Sequence, residues 1–337
     1  MAAVSRMSVP SVDVDSERLV RAVLPASLLV AVGSTVLALL RALPPGDPTE
    51  LLGVSPVPVA LGVLLNTVTT VPFLLALLLV VTTPSRRVAA LGAGLVYAVD
   101  FVTVVGSRTL LSRGPGLDLG SFAVPLPRAV TVLAVAAAAW LAYHGGVERL
   151  RAAVGGVPHH PLAAHVGDRR LGPGLTLQRG LVAAGLAGLV GAAGLVLAGG
   201  VHDLFTAVAR LGSTGSTTVV FPGSELREVG VPPARLPVRW LLEGSFLLAV
   251  LFLAGPRCSA RDLLKGLGLL VGVQSAVILV PAFLPPVEPV YLFGVRGPLV
   301  AALPDAILLV GLAVGVRLLG RDESETPAAR PTATADS

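Results

Sequence analysis

Eight stretches of about twenty mostly apolar residues divide this chain, and most of its charge lies between them. They run over 20–42, 57–81, 87–106, 125–143, 180–201, 238–255, 263–284 and 298–319. A helix rises about 1.5 Å per residue, so roughly twenty residues cross a hydrocarbon core of about 30 Å. Backbone groups in that core must find their hydrogen bonds within the protein, which the helix provides. The predicted fold is an all-α integral membrane protein, a bundle of about eight transmembrane helices. Composition agrees. The chain is 54% hydrophobic and 13% charged, against roughly 45–50% and about 25% in soluble domains.

Proline does not break this reading. Pro125 and Pro127 open the fourth stretch, where proline is well tolerated. Pro72, Pro281 and Pro304 fall inside stretches, where they predict kinks. The apolar run at 22–40 is too long for the core of a secretory signal, and Arg41 follows it in place of a small-residue cleavage site. It reads as a retained first span. Residues 1–18 and 321–337 are expected to be disordered tails flanking one transmembrane domain at 19–320. The loop at 202–237 reads as a small external cap, with an amphipathic helical turn at 202–210 and a β-prone run at 217–221.

Charge sets the expected orientation. Counting alternate loops, 16 Lys and Arg fall on the side of the termini and 9 on the other. The positive-inside rule then places both termini in the cytoplasm of a multi-pass cell-membrane protein. Arg dominates Lys, and Ile and Asn are scarce, as in a high-GC prokaryotic genome such as that of a haloarchaeon or an actinobacterium. Basic residues are not grouped with aromatics, so no nucleic-acid partner is expected.

Ionisable groups inside a span cost roughly 3 kcal/mol at its centre and so mark candidate sites. Asp100 lies 13 positions beyond Arg87, about 20 Å into the third span. Glu243 and Asp305 lie five and seven positions into spans six and eight from the opposite side, about 7 and 10 Å deep. All three acids thus fall at similar depth in the outer half. Arg128 belongs to that side, and Asn66 and Gln274 sit near the midplane. Together they predict a polar site, open to the outside, that binds an unknown small solute or cation or relays protons. The bland alternative is local pairing: Asp100 with Arg128 or Arg108, and Glu243 with Arg239 on one helix face.

Other features point less far. Gly180, Ala184, Gly188 and Ala192 repeat every four residues along span five, forming a face that another helix can approach closely. That face predicts packing within the bundle, or else a seam with a membrane-protein partner or a second copy. His159, His160 and His165, with Asp168 nearby, are weak metal candidates, because Pro158 and Pro161 flank the pair and no thiolate joins them. Cys258 is the lone cysteine, so no intrachain disulfide forms. Arg257 and Arg261 would favour its thiolate, but no histidine follows it in the chain. Phosphate-binding loops, nucleophile elbows, zinc-protease motifs and dinucleotide fingerprints are absent, and no cofactor is expected. The leading reading is a transporter or permease. A non-catalytic scaffold or accessory subunit of a membrane complex is the alternative, and an intramembrane enzyme the third.

Overall fold

The computed structural model describes residues 16–42, 56–83, 85–112, 119–143, 146–147, 170–172, 175–213, 235–253, 259–279 and 298–324. Among these, eight long helices carry the fold. They are α1 (Ser16–Ala42), α2 (Pro56–Thr82), α3 (Arg86–Ser112), α4 (Leu126–Tyr143), α5 (Leu177–Ser213), α6 (Arg235–Leu253), α7 (Ala260–Leu279) and α8 (Pro298–Ser324). A 3-10 turn, Leu119–Phe122, precedes α4. A short antiparallel ribbon, β1 (Arg170–Gly172) and β2 (Leu175–Thr176), leads into α5. This is the expected helical membrane bundle.

Seven of the helices are long and apolar enough to cross a membrane. The eighth, α7, is not among them. It carries Arg261, Asp262 and Lys265 in its first two turns, and the remainder of the expected span at 263–284 lies outside the described residues. Several boundaries also differ from expectation. α1 begins at Ser16 and α8 runs to Ser324, so both helices extend into the segments read as tails. α5 continues through 202–213, so the amphipathic turn expected there is the end of a 37-residue helix. The rest of the expected cap, including the 217–221 run, lies outside the described residues.

The helices close into a ring. Each packs on its neighbour in sequence, and α8 returns to pack on α1. The even-numbered helices also meet across the middle, α2 on α4, α4 on α6, α6 on α8 and α8 on α2. Most of the largest fully buried side chains come from these four, among them Leu74, Leu77 and Leu78 of α2, Val132 of α4, Leu247 of α6, and Leu309 and Leu312 of α8. They belong to one continuous apolar cluster. Lipid is as apolar as leucine, so this centre holds by close packing more than by escape from water.

Close packing explains the small residues. A Cβ on Gly188 of α5 would lie 2.9 Å from the backbone of Gly244 on α6. The two helices touch backbone to backbone at this point. Gly180, Ala184 and Ala192 are buried on the same helix, and Trp240 Nε1 of α6 donates to the Gly185 carbonyl of α5 at 2.6 Å. The small-residue face of α5 is therefore used within the bundle.

Local signals start and stabilise the helices. Ser85 Oγ accepts from the Val88 amide at the start of α3, and Thr176 Oγ1 from the Arg179 amide at the start of α5. At α7, Ser259 Oγ accepts from the Asp262 amide, while the Asp262 carboxylate accepts from the Ser259 amide and hydroxyl. That is a reciprocal capping box. The bond from the Ser259 hydroxyl, with Lys265 nearby, holds the half-buried Asp262 carboxyl below its ordinary range. Within the spans, threonines satisfy themselves by bonding to carbonyls one turn back, as Thr35, Thr67 and Thr103 do.

Candidate functional site

Asp100 lies on the buried face of α3, with 6% of its surface exposed. Arg128, in the first turn of α4, reaches it with Nη1 at 3.2 Å from Oδ1 and 3.5 Å from Oδ2. The guanidinium also sits over the Phe73 ring of α2, 5.5 Å from its centroid. Aromatic side chains gather beside the pair. Phe101 lies between Tyr97 and Phe122, with ring centroids 6.3 and 4.9 Å apart, and Tyr97 donates from its hydroxyl to the Phe122 carbonyl at 3.0 Å. The proline-opened start of α4 and the 3-10 turn before it thus set Arg128 against α3.

A second polar group lies elsewhere, where α6, α7 and α8 meet. Gln274 of α7 is buried and donates from Nε2 to Oδ2 of Asp305 on α8 at 2.6 Å. Glu243 of α6 is half-buried and lies within the electrostatic reach of Asp305 and of Arg239, one turn before it on the same helix. The Arg239 charge acts on Asp305 too. One cation thus lies within electrostatic reach of two carboxylates on two helices, and an amide from a third helix donates to one of them. Pro304 precedes Asp305 inside α8 and cannot supply a backbone N–H to the helix. The backbone next to the carboxylate is therefore one hydrogen bond short.

The three acids expected to share one site fall into two groups. Asp100 sits on an odd-numbered helix held chiefly between α2 and α4, and the charge acting on it is that of Arg128. Glu243 and Asp305 sit on adjacent even-numbered helices. Similar depth along the membrane normal does not by itself mean proximity around the ring. Asn66 joins neither group, since its Nδ2 donates to Thr35 Oγ1 at 2.8 Å and ties α2 to α1. His159, His160, His165 and Asp168 lie outside the described residues, as do Cys258 and Arg257. The described residues contain no cluster of metal-ligating side chains.

Sequence reasoning placed Arg239 beside Glu243 from the four-residue spacing, but did not join it to Asp305. It also missed Phe73. An aromatic residue in an apolar span carries no local mark that a guanidinium will cover it. Comparison with protein-family models, characterised proteins and solved structures finds no match.

Proposed function

We propose that the protein is a proton- or cation-linked membrane transporter whose site is the Glu243–Gln274–Asp305 cluster, with Arg239 as its resident counter-charge. The observation that carries this reading is the hydrogen bond inside the bundle between the Gln274 amide of α7 and the Asp305 carboxylate of α8, beside α6 with its second carboxylate Glu243. Acids that face a bundle interior form proton relays and cation sites, because the low-dielectric surroundings make each charge state costly without a partner. Two acids beside one arginine leave one negative charge to be met by a proton, a metal cation or a substrate amine. In this reading both termini lie in the cytoplasm, and the cluster is approached from outside.

Asp100 takes no part in the cycle here. Its charge is met by Arg128, so the pair fixes α3 to α4. Asn66 likewise ties α1 to α2.

Reconstituted vesicles test the proposal. Proton entry is followed with a trapped pH dye under an imposed membrane potential, and sodium entry with a trapped sodium dye. Wild-type protein is expected to exceed protein-free vesicles in one of the two. Glu243→Gln and Asp305→Asn should lower that rate at least tenfold, and Asp100→Asn should leave it within about twofold if the variant assembles. Wild-type vesicles no leakier than empty ones to either ion would overturn the reading. The scaffold alternative would then stand, favoured by the solid apolar centre where the four even-numbered helices meet.

A further inference from the structure

On the outer surface of the bundle, α1 and α7 stand on either side of α8 and leave a groove of about 670 Å³. Leu28, Leu29 and Val32 of α1 form one wall, Leu267 of α7 the other, and Ile307 and Val310 of α8 the floor. The groove has a defined direction. Gly33 lies against Ile307 and Gly311 against Val30, so α8 runs antiparallel to α1. Gln274 meets Asp305, and Gly266 lies near Leu309, so α8 runs antiparallel to α7 as well. The N-termini of α1 and α7 and the C-terminus of α8 therefore share one end of the bundle.

That end is basic and adjoins the groove. On α1 the lining begins at Pro25, one turn beyond Arg21 on the same helix face, whereas on α7 Lys265 precedes Leu267 by two residues and so lies on another face of that helix. Along the axis of α1, Arg21 lies about 6 Å from the groove's mouth. Its side chain is 71% exposed. Arg21 meets Glu17 at 2.6 Å and Lys265 meets Asp262 at 3.7 Å, and each keeps further donors free to turn outward. Arg18, Arg261 and Arg317 stand at the same end. Among the described side chains there, cations outnumber the carboxylates Glu17 and Asp262.

An apolar slot that ends at a basic rim matches a molecule with an acyl chain and an anionic head. We propose that the groove holds one acyl chain of an anionic phospholipid, with its phosphate met by Arg21. The surrounding bilayer supplies that ligand. A zwitterionic lipid offers the same chain but brings its own cation to the basic rim. A transmembrane helix of a partner would fill the slot without using the rim.

Native mass spectrometry of detergent-solubilised protein, given equal phosphatidylglycerol and phosphatidylcholine, tests the assignment. The expected result is one retained lipid per chain, with phosphatidylglycerol preferred at least about fivefold, the gain expected from one basic side chain near an anionic surface. Val32→Trp should fill the slot and remove the bound lipid. Arg21→Gln, on an exposed side chain, should keep a bound lipid and abolish the preference. Equal retention of the two lipids by wild-type protein overturns the proposal, as does a phosphatidylglycerol adduct unchanged in Val32→Trp. A dimer that Val32→Trp converts to monomer also overturns it and gives the groove to a second copy. If Val32→Trp does not fold, the charge variant decides alone, and an unchanged preference in it overturns the proposal.

Discussion

Two carboxylates at comparable depth, Asp100 and Asp305, have opposite surroundings. Asp100 is matched one to one by an arginine from the next helix, beside aromatic rings. Asp305 receives a neutral amide donor and shares a single arginine with Glu243. A matched pair is a fastening, since opening it leaves a charge in a low-dielectric interior. An under-matched cluster can accept a further positive charge, and binding and release need exactly that capacity. Burial depth alone therefore does not separate structural acids from working ones. The count of counter-charges does.

The sharpest way to break this comparison is to remove a partner from each group. Arg128→Leu should cost about 3 kcal/mol, the lower end of the range for stranding one member of a buried pair, because the guanidinium side chain is itself 38% exposed. Thermal melting in detergent reads the loss, and Arg128→Gln combined with Asp100→Asn should recover most of it. A single variant that melts like the wild type would mean that the pair does not hold α3 to α4.

Gln274→Leu should cost less, about 1–2 kcal/mol, because it removes one hydrogen bond from a carboxylate that still has Arg239 nearby. The two groups should differ more in function than in stability. Gln274→Leu is expected to change the apparent affinity for the transported ion, read from the concentration dependence of vesicle uptake, whereas the doubly neutral Asp100/Arg128 variant should not. Equal effects on uptake would erase the distinction.

The smallest effect lies outside both groups, at the Ser259–Asp262 cap of α7, the helix that carries Gln274. Ser259→Ala should cost about 1 kcal/mol. Asp262 has its carboxyl held below the ordinary carboxylate range, so the ionised form is favoured by folding. Its contribution is complete at neutral pH, above the unfolded value of 3.8, and is lost as pH falls through the lower folded value. Melting curves of wild type and Asp262→Asn should differ at pH 7 and converge as the pH is lowered below that range. A gap that persists in acid would show that the side chain acts by shape and not by charge.

The sequence alone determined that this is a helical membrane bundle. Runs of about twenty apolar residues admit no other backbone solution in lipid, and that signal is local. The capping residues, the close-packing face of α5 and the costly acids were readable for the same reason, since each depends on residues within a turn or two of chain. The pairing of Asp100 with Arg128 was readable as one of several options, because two charges 28 positions apart can meet only if α3 and α4 are neighbours. What the tertiary structure decided was position around the ring. Hydropathy gives the depth of a residue along the membrane normal but not its angle about it. Asp100, Glu243 and Asp305 share a depth, and only the closure of α8 onto α1, with even-numbered helices at the centre, separates one acid from the other two.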